Sequence, residues 1–294
     1  MADVAGLDSR ADAAGWRGVQ EGRRALRCVR ADVAVPNRPA QYRELLQAYA
    51  RYDLVIAGSF LLTDAVVDAA RANPATRFVL VDPIVAPVAP PNLAVLVFRD
   101  DQAAFLAGAL AAMVTRTGMI AGVYGPFGAA DQRHRSGFEH GAAYVRPGIR
   151  VLGAYQPAGD GLPYASPGWG AAQARAFVRQ GADVIFGTGG STGTGALRGA
   201  AQAGGRCIGD GDSAPDPAVS DCLLASTINH VDRGLALMVA DAAAGHWAGG
   251  TRTLGLAEGA VELGLLRRQL PPEHLDELQA IVAKLAAGAL ATGA

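Results

Sequence analysis

The chain has 294 residues, half of them hydrophobic, with few aromatics, and its 26 basic and 27 acidic residues leave a formal net charge of −1. That balance offers no electrostatic footprint for nucleic acid or an anionic membrane surface, and no apolar run reaches the length of a membrane span. The length suits one large or two ordinary α/β domains with a well-buried core packed mainly by alanine, valine and leucine.

The N-terminus MADVAGLDSR carries neither a basic n-region nor an apolar h-region, so no export signal is expected from it. Residues 2–6 are too short and polar for a convincing strand, whereas 13–26, with Trp16, Val19 and Leu26 spaced among polar residues, reads as a helix. Residues 29–35 read as a strand stopped by Pro36 and Pro39, and 41–51 as a helix. A clear βα alternation follows. DLVIA at 53–57 is a buried strand with Gly58, Ser59 and Phe60 as its turn, then a helix runs over 63–72 to the Asn73-Pro74 stop. A strand over 78–81 closes on Asp82, a proline-rich loop follows, and a strand over 93–98 leads to an apolar helix over 103–115.

The second half repeats the rhythm: a strand over 119–124, a helix over 132–145, a strand over 149–155, a long glycine- and proline-rich loop over 156–170, and a helix over 171–180. Next comes RQGADVIFGTGGSTGTGALRGAAQAG, read as strand (Val184, Ile185, Phe186), glycine-rich turn (187–195) and helix. Glycine supplies the unusual dihedrals that any βα turn needs, and it also lets backbone N–H groups approach a ligand at the positive end of a helix. The run lacks the lysine of a phosphate-cradling loop and the third glycine of a dinucleotide fingerprint. It does contain a GxSxG match, Gly189 to Gly193. A serine hydrolase with Ser191 as nucleophile, Asp210, Asp212 or Asp221 as acid and His230 or His246 as base is therefore the enzyme alternative. Strands over 207–209, 223–228 and 253–256 and helices over 231–244 and 272–287 complete the chain. The five histidines show no metal-ligand spacing, so no metal or cofactor is expected, and Cys207 and Cys222 pair if their strands are neighbours.

The two βα-rich halves imply two doubly wound lobes, with ligands bound beyond the carboxyl ends of the strands, where Gly58 to Phe60, Asp82, the glycine turn and Asp212 stand. Four stretches in order, AGSFLLTDAV, VFRDDQAAFLAG, TRTGMIAGVYG and GADVIFGTGGSTGTG, resemble the basic membrane protein family, the substrate-binding lipoproteins of bacterial ABC importers of purine nucleosides. The resemblance runs from about Asp8 to the terminal helix. It implies a type I periplasmic-binding-protein fold, with lobes 1–117 plus 229–255 and 118–228 plus 256–294 and an interlobe cleft that closes on a nucleoside or similar small polar ligand. It also implies ABC permease partners, a monomer, no catalysis, and an extracytoplasmic, membrane-associated place. A ligand sensor of the same fold in the cytoplasm is the alternative that the N-terminus leaves open.

Carried over by position, the resemblance puts Asp8, Asp12, Phe60, Asp82, Tyr164, Phe186, Gly189, Asp212 and Asn229 at the ligand. Asp82 would meet a base edge, and Asp212 would accept from vicinal ribose hydroxyls. Ala11 stands where the family has a stacking aromatic, and Asn229 where it has a lysine. Asp8 and Asp12 equally suit N-caps of the first helix, Asp82 a loop cap, Phe186 the core and Tyr164 the surface.

Overall fold

The computed structural model describes residues 1–2, 10–26, 30–83, 88–211, 216–265 and 270–294. In chain order its elements are α1 (Arg10–Ala25), α2 (Tyr42–Tyr49), β1 (Leu54–Ala57), α3 (Thr63–Ala72), β2 (Arg77–Val81), β3 (Leu93–Phe98), α4 (Asp100–Val114), β4 (Met119–Pro126), α5 (Ala129–Val145) and β5 (Arg150–Gln156). There follow α6 (Pro167–Arg179), β6 (Val184–Gly187), α7 (Gly190–Gln202), β7 (Arg206–Asp210), β8 (Leu223–Asn229), α8 (Val231–Ala243), β9 (Gly250–Leu254), β10 (Val261–Leu265) and α9 (Pro272–Ala286). Among the described residues no helix is long and apolar enough to cross a membrane.

Two compact units form, 1–98 with 230–254 and 99–229 with 255–294. They differ from the lobes expected from sequence chiefly by α4, which falls with the second unit. The reason is packing: Gly108, Gly137 and Gly141 press the backbones of α4 and α5 together, and a Cβ on any of them would strike the carbonyl of Phe138, Asp101 or Phe105.

The first unit holds the all-parallel sheet β1-β2-β3-β9. Strands buried on both faces need continuous apolar runs, which RFVLV and LAVLVF provide. One face packs Val55, Phe78, Leu80 and Val95 against Leu46, Leu62 and Val66 of the helical side. Asn92 secures the connection into β3 by donating from its amide to the carbonyls of Ala70, Asn73 and Thr76. The expected strand over 29–35 does not form over its described residues, 30–35; Pro36 removes a ladder donor, and Ala34 instead accepts from the Ala2 N–H.

The second unit holds the sheet β10-β8-β7-β6-β4-β5, parallel except for antiparallel β10. Alternation along each strand divides its side chains between two cores. Ile120, Val184, Phe186 and Ile208 join α4, α5 and α9 on one side, and Ala121, Ile185, Cys207 and Leu223 join α6 and α7 on the other. Cys207 of β7 and Cys222, just before β8, form a disulfide with Cα atoms 5.4 Å apart. β10 was not anticipated, and the strand expected over 253–256 is displaced to β9.

Candidate functional site

In each unit the polar residues gather at the carboxyl ends of parallel strands, where backbone N–H groups leave the ladder and helices begin. In the first unit, β1 ends at a turn in which the Ser59 hydroxyl accepts from Leu61 N–H (3.4 Å) and Thr63 donates to the Phe60 carbonyl (2.6 Å). Phe60 is half-buried there. On the neighbouring strand the ladder continues one step past β2, with Asp82 N–H donating to Leu96 O at 2.8 Å, and the backbone then turns to φ +45° at Asp82. Among the described residues Asp82 and Tyr164 (φ +63°) are the non-glycine residues with positive φ. Such conformations cost on the order of 1–3 kcal/mol each and concentrate where a site must be held in shape. A cavity of about 610 Å³ in this unit lies elsewhere, beside Leu54 and Arg77 at the starts of β1 and β2, with Arg30, Tyr49 and Arg51 in its wall.

Asp8 and Asp212 lie outside the described residues, as does the side chain of Asp12, whose backbone belongs to α1.

The second unit carries the denser network. Gln156 ends β5 and is buried. Its amide donates to Asp160 O (2.9 Å) and Leu162 O (3.0 Å), and its carbonyl oxygen accepts from Tyr164 N–H (3.1 Å) and from the Thr192 hydroxyl (2.8 Å). Thr192, fully buried on α7, in turn accepts from Ser166 N–H at 2.9 Å. The long loop is therefore stitched to the sheet and to α7. The glycine turn is shorter than the sequence suggests, because helix α7 begins at Gly190. Gly189 precedes it in a left-handed conformation (φ +88°), and a Cβ there would strike the backbone of Gly125. Tyr164 closes on the same place: its ring covers Gly125, its hydroxyl donates to Asp131 (3.1 Å) and its carbonyl accepts from Ser191 N–H (3.0 Å).

Asp131 and His134 stand three residues apart on α5, facing the ends of β6 and β7. His134 Nδ1 lies 3.0 Å from Ala130 O and its Nε2 lies 3.6 Å from Asp210 Oδ1. Both ring nitrogens thus face acceptors, which only the imidazolium satisfies with two donors. Burial pulls His134 down, but the Asp210 carboxylate, aided by Asp100 and Asp131, outweighs it and holds the imidazole at about 10. Burial likewise pushes Asp210 up, and His134, the Thr227 hydroxyl (2.7 Å) and Gly189 N–H together keep it below the ordinary carboxylate range. Asp131, with fewer compensating partners, is raised by burial to about 6 against the pull of His134, the Tyr164 hydroxyl and Gly125 N–H. The N–H preceding α7 is therefore already satisfied by a protein carboxylate.

A second cluster adjoins β8. Asn229 Nδ2 donates to Asp100 Oδ1 (2.8 Å), while Arg133 of α5 donates to Asp100 Oδ2 from Nη2 (2.6 Å) and Nε (3.2 Å).

Of the residues anticipated at the ligand, Tyr164 and Gly189 meet at Gly125, and Asn229 sits in the cluster with Asp100 and Arg133. Phe186 is corrected to a core position: it is fully buried, stacked on Phe138 (5.0 Å between centroids) and edge-on to Tyr124, because its strand position points into the α4–α5 side. Ser191 donates its hydroxyl to Tyr164 O (3.2 Å) and so is held by a carbonyl rather than by an imidazole, and the imidazole paired with Asp210 is His134. Asp131, His134, Gln156, Thr192, Asp100 and Arg133 were missed. The i, i+3 spacing of Asp131 and His134 and the place of Gln156 at a strand end were the available signals.

Residues 35–287 match the family model described as ABC transporter substrate-binding protein PnrA-like. Basic membrane protein B of Borrelia garinii subsp. bavariensis is 29% identical over 72% of this chain and 62% of its own length. The ABC transporter nucleoside-binding protein BmpA of Lactococcus lactis subsp. cremoris is 31% identical over 49% of this chain and 39% of its own length. The chain thus spans less than two thirds of these relatives. In fold it is similar to an ABC transporter solute-binding protein from Aeropyrum pernix K1, at TM-score 0.75 and 20% identity, over 99% of this chain and 91% of the other.

Proposed function

The chain belongs to the PnrA-like family of ABC transporter substrate-binding proteins, and we propose that it captures a nucleoside or comparable small hydroxylated ligand, as a monomer and without turnover, for an ABC permease. The observation that carries this reading is the prearranged polar edge of the second unit. Asp210, His134, Asp131, Tyr164, Asn229, Asp100 and Arg133 are held at the carboxyl ends of its parallel strands by hydrogen bonds and ion pairs among themselves and with Thr227. Side chains fixed in advance lose little entropy when a ligand arrives, which is how a binding protein gains affinity without strain.

The charges there favour a neutral ligand. Three carboxylates (Asp100, Asp131, Asp210) face two cations (Arg133, His134), so a phosphate would add repulsion, whereas hydroxyls donate to carboxylates and accept from the cations. As the family resemblance implies, Asp82 is proposed to meet the base and Asp212 the ribose, with Asp8 and Asp12 as further proposed ligand contacts. The nucleoside-binding description of the Lactococcus relative supports the ligand class. The disulfide between Cys207 and Cys222 supports an extracytoplasmic place, since such bonds persist in oxidising compartments.

Isothermal titration of the purified chain with adenosine, guanosine, inosine, uridine and the matching 5′-monophosphates tests the reading. One-to-one binding of a nucleoside, weaker binding of its monophosphate and unchanged ligand on chromatography are expected. Absence of binding across the panel, or hydrolysis of the ligand, refutes it.

A further inference from the structure

We propose that Arg133 is a specificity-determining ligand contact, offering the outer edge of its guanidinium to an oxygen of the ligand while Asp100 holds the inner edge. This inference rests on the ligand class proposed above and adds a residue that the family resemblance does not supply.

The geometry begins with Asp100, the first residue of α4, whose side chain is 1% exposed. Both of its oxygens are engaged from different elements. Oδ1 accepts from Asn229 at the end of β8, and Oδ2 accepts from Nε and Nη2 of Arg133 near the start of α5. A guanidinium has five N–H donors in a planar fork. Binding one carboxylate oxygen through Nε and Nη2 leaves the Nη1 pair and the second Nη2 hydrogen directed away from Asp100. The Arg133 side chain is 25% exposed, unlike the carboxylate behind it. The backbone that carries it is also seated, because Gly137 brings α5 against the Asp101 carbonyl, so that α4 and α5 approach at backbone distance one turn beyond Arg133.

Three consequences follow from elementary chemistry. A long cationic side chain already ordered by a buried partner presents its free donors with little further entropy loss. The cation is neutralised by Asp100, so the outer edge suits a neutral acceptor, a hydroxyl or carbonyl oxygen, better than an anion that would also face Asp131 and Asp210. Asn229, bound to the other oxygen of the same carboxylate, places a second donor beside the guanidinium, so one buried acid orients two donors from two elements.

The test uses the full chain, titrated by calorimetry with the best-binding nucleoside and with its 2′-, 3′- and 5′-deoxy analogues. Two variants are compared with the wild type: Arg133→Lys, which keeps the charge on Asp100 but loses the fork, and the double variant Asp100→Asn with Arg133→Gln, which removes both charges and leaves no buried ion unpaired. Each is expected to weaken the nucleoside by about 10- to 100-fold, the loss typical of charge-assisted hydrogen bonds. In addition, one deoxy analogue that binds the wild type more weakly than its parent should bind the variants as well as the parent does, because side chain and hydroxyl then report the same hydrogen bond. If the wild type binds a nucleoside and the variants bind it and every analogue with wild-type affinities, Arg133 serves only as counter-ion to Asp100 and the proposal is overturned, whatever the melting temperatures do. If the wild type binds no nucleoside, the proposed function itself fails and the role of Arg133 falls with it. Should the double variant not fold, Arg133→Lys decides alone.

Discussion

Replacing Gln156 by leucine isolates what holds the long loop of the second unit. The substitution keeps roughly the same volume in a buried site while deleting four hydrogen bonds, to Asp160 O, Leu162 O, Tyr164 N–H and the Thr192 hydroxyl. At about 1 kcal/mol net for each bond, the loop would lose about 4 kcal/mol relative to its open state. The freed carbonyls belong to a surface loop, which regains water by opening, so the loss falls mainly on local opening rather than global unfolding. A tenfold change in an equilibrium for every 1.4 kcal/mol then makes amide exchange at Tyr164 and Ser166 roughly a thousandfold faster. The N–H of Ser191, bonded to Tyr164 O, should accelerate with them, while the amides of β4 and β6 keep their protection. Hydrogen exchange read by NMR or mass spectrometry measures this. Unaltered exchange at Tyr164 and Ser166, or equal acceleration throughout the unit, would refute the view that Gln156 is what pins the loop.

The titrating groups of α5 make stability fall as pH rises. His134 holds its proton up to about 10 in the folded chain against about 6.5 unfolded, so its contribution is complete below pH 6.5 and is lost as pH climbs to 10. Asp131, raised to about 6, also binds its proton more tightly when folded, and its ionisation between about pH 4 and 6 costs about 3 kcal/mol. Urea midpoints measured from pH 4 to 10 should decline through both windows, and Asp131→Asn should flatten the lower one while narrowing the upper one only slightly, since Asp210 is the main partner of His134; a flat wild-type profile contradicts the assignment. Reducing the Cys207–Cys222 disulfide, which spans 15 residues, should lower stability by about 3 kcal/mol if chain entropy dominates. Guanidinium denaturation with and without reductant reads this directly, and coincident midpoints would exclude it.

The alternation of buried apolar runs with helices was legible from the residues alone. Strands such as LAVLVF and VIFG bury both faces and so admit no polar residue, and that excess of valine, leucine and isoleucine marks them in any context. The expectation that ligands meet the carboxyl ends of such strands followed from the same pattern and directed attention to Gly58 to Phe60, Asp82, the glycine turn and Asp212, whereas Tyr164 and Asn229 came from the family resemblance. Cys207 and Cys222 needed the neighbouring of β7 and β8 to become a bond.

What tertiary structure alone decided was which neighbours each polar side chain found. Phe186 looked as suited to a ligand as to the core until its place on β6 set it against Phe138. Nothing in the residues around Arg133 announces that it reaches Asp100, 33 positions earlier, or that Asn229 takes the other oxygen of that carboxylate from 129 positions away. Likewise Gly189, read first as conformational freedom or part of a cradle, combines a left-handed backbone with a close approach to the backbone of Gly125. Local sequence determines where strands and helices form because propensity and periodicity act over a few residues. Burial, ion pairing and backbone approach act over a few ångströms of space, between residues that only the folded chain brings together.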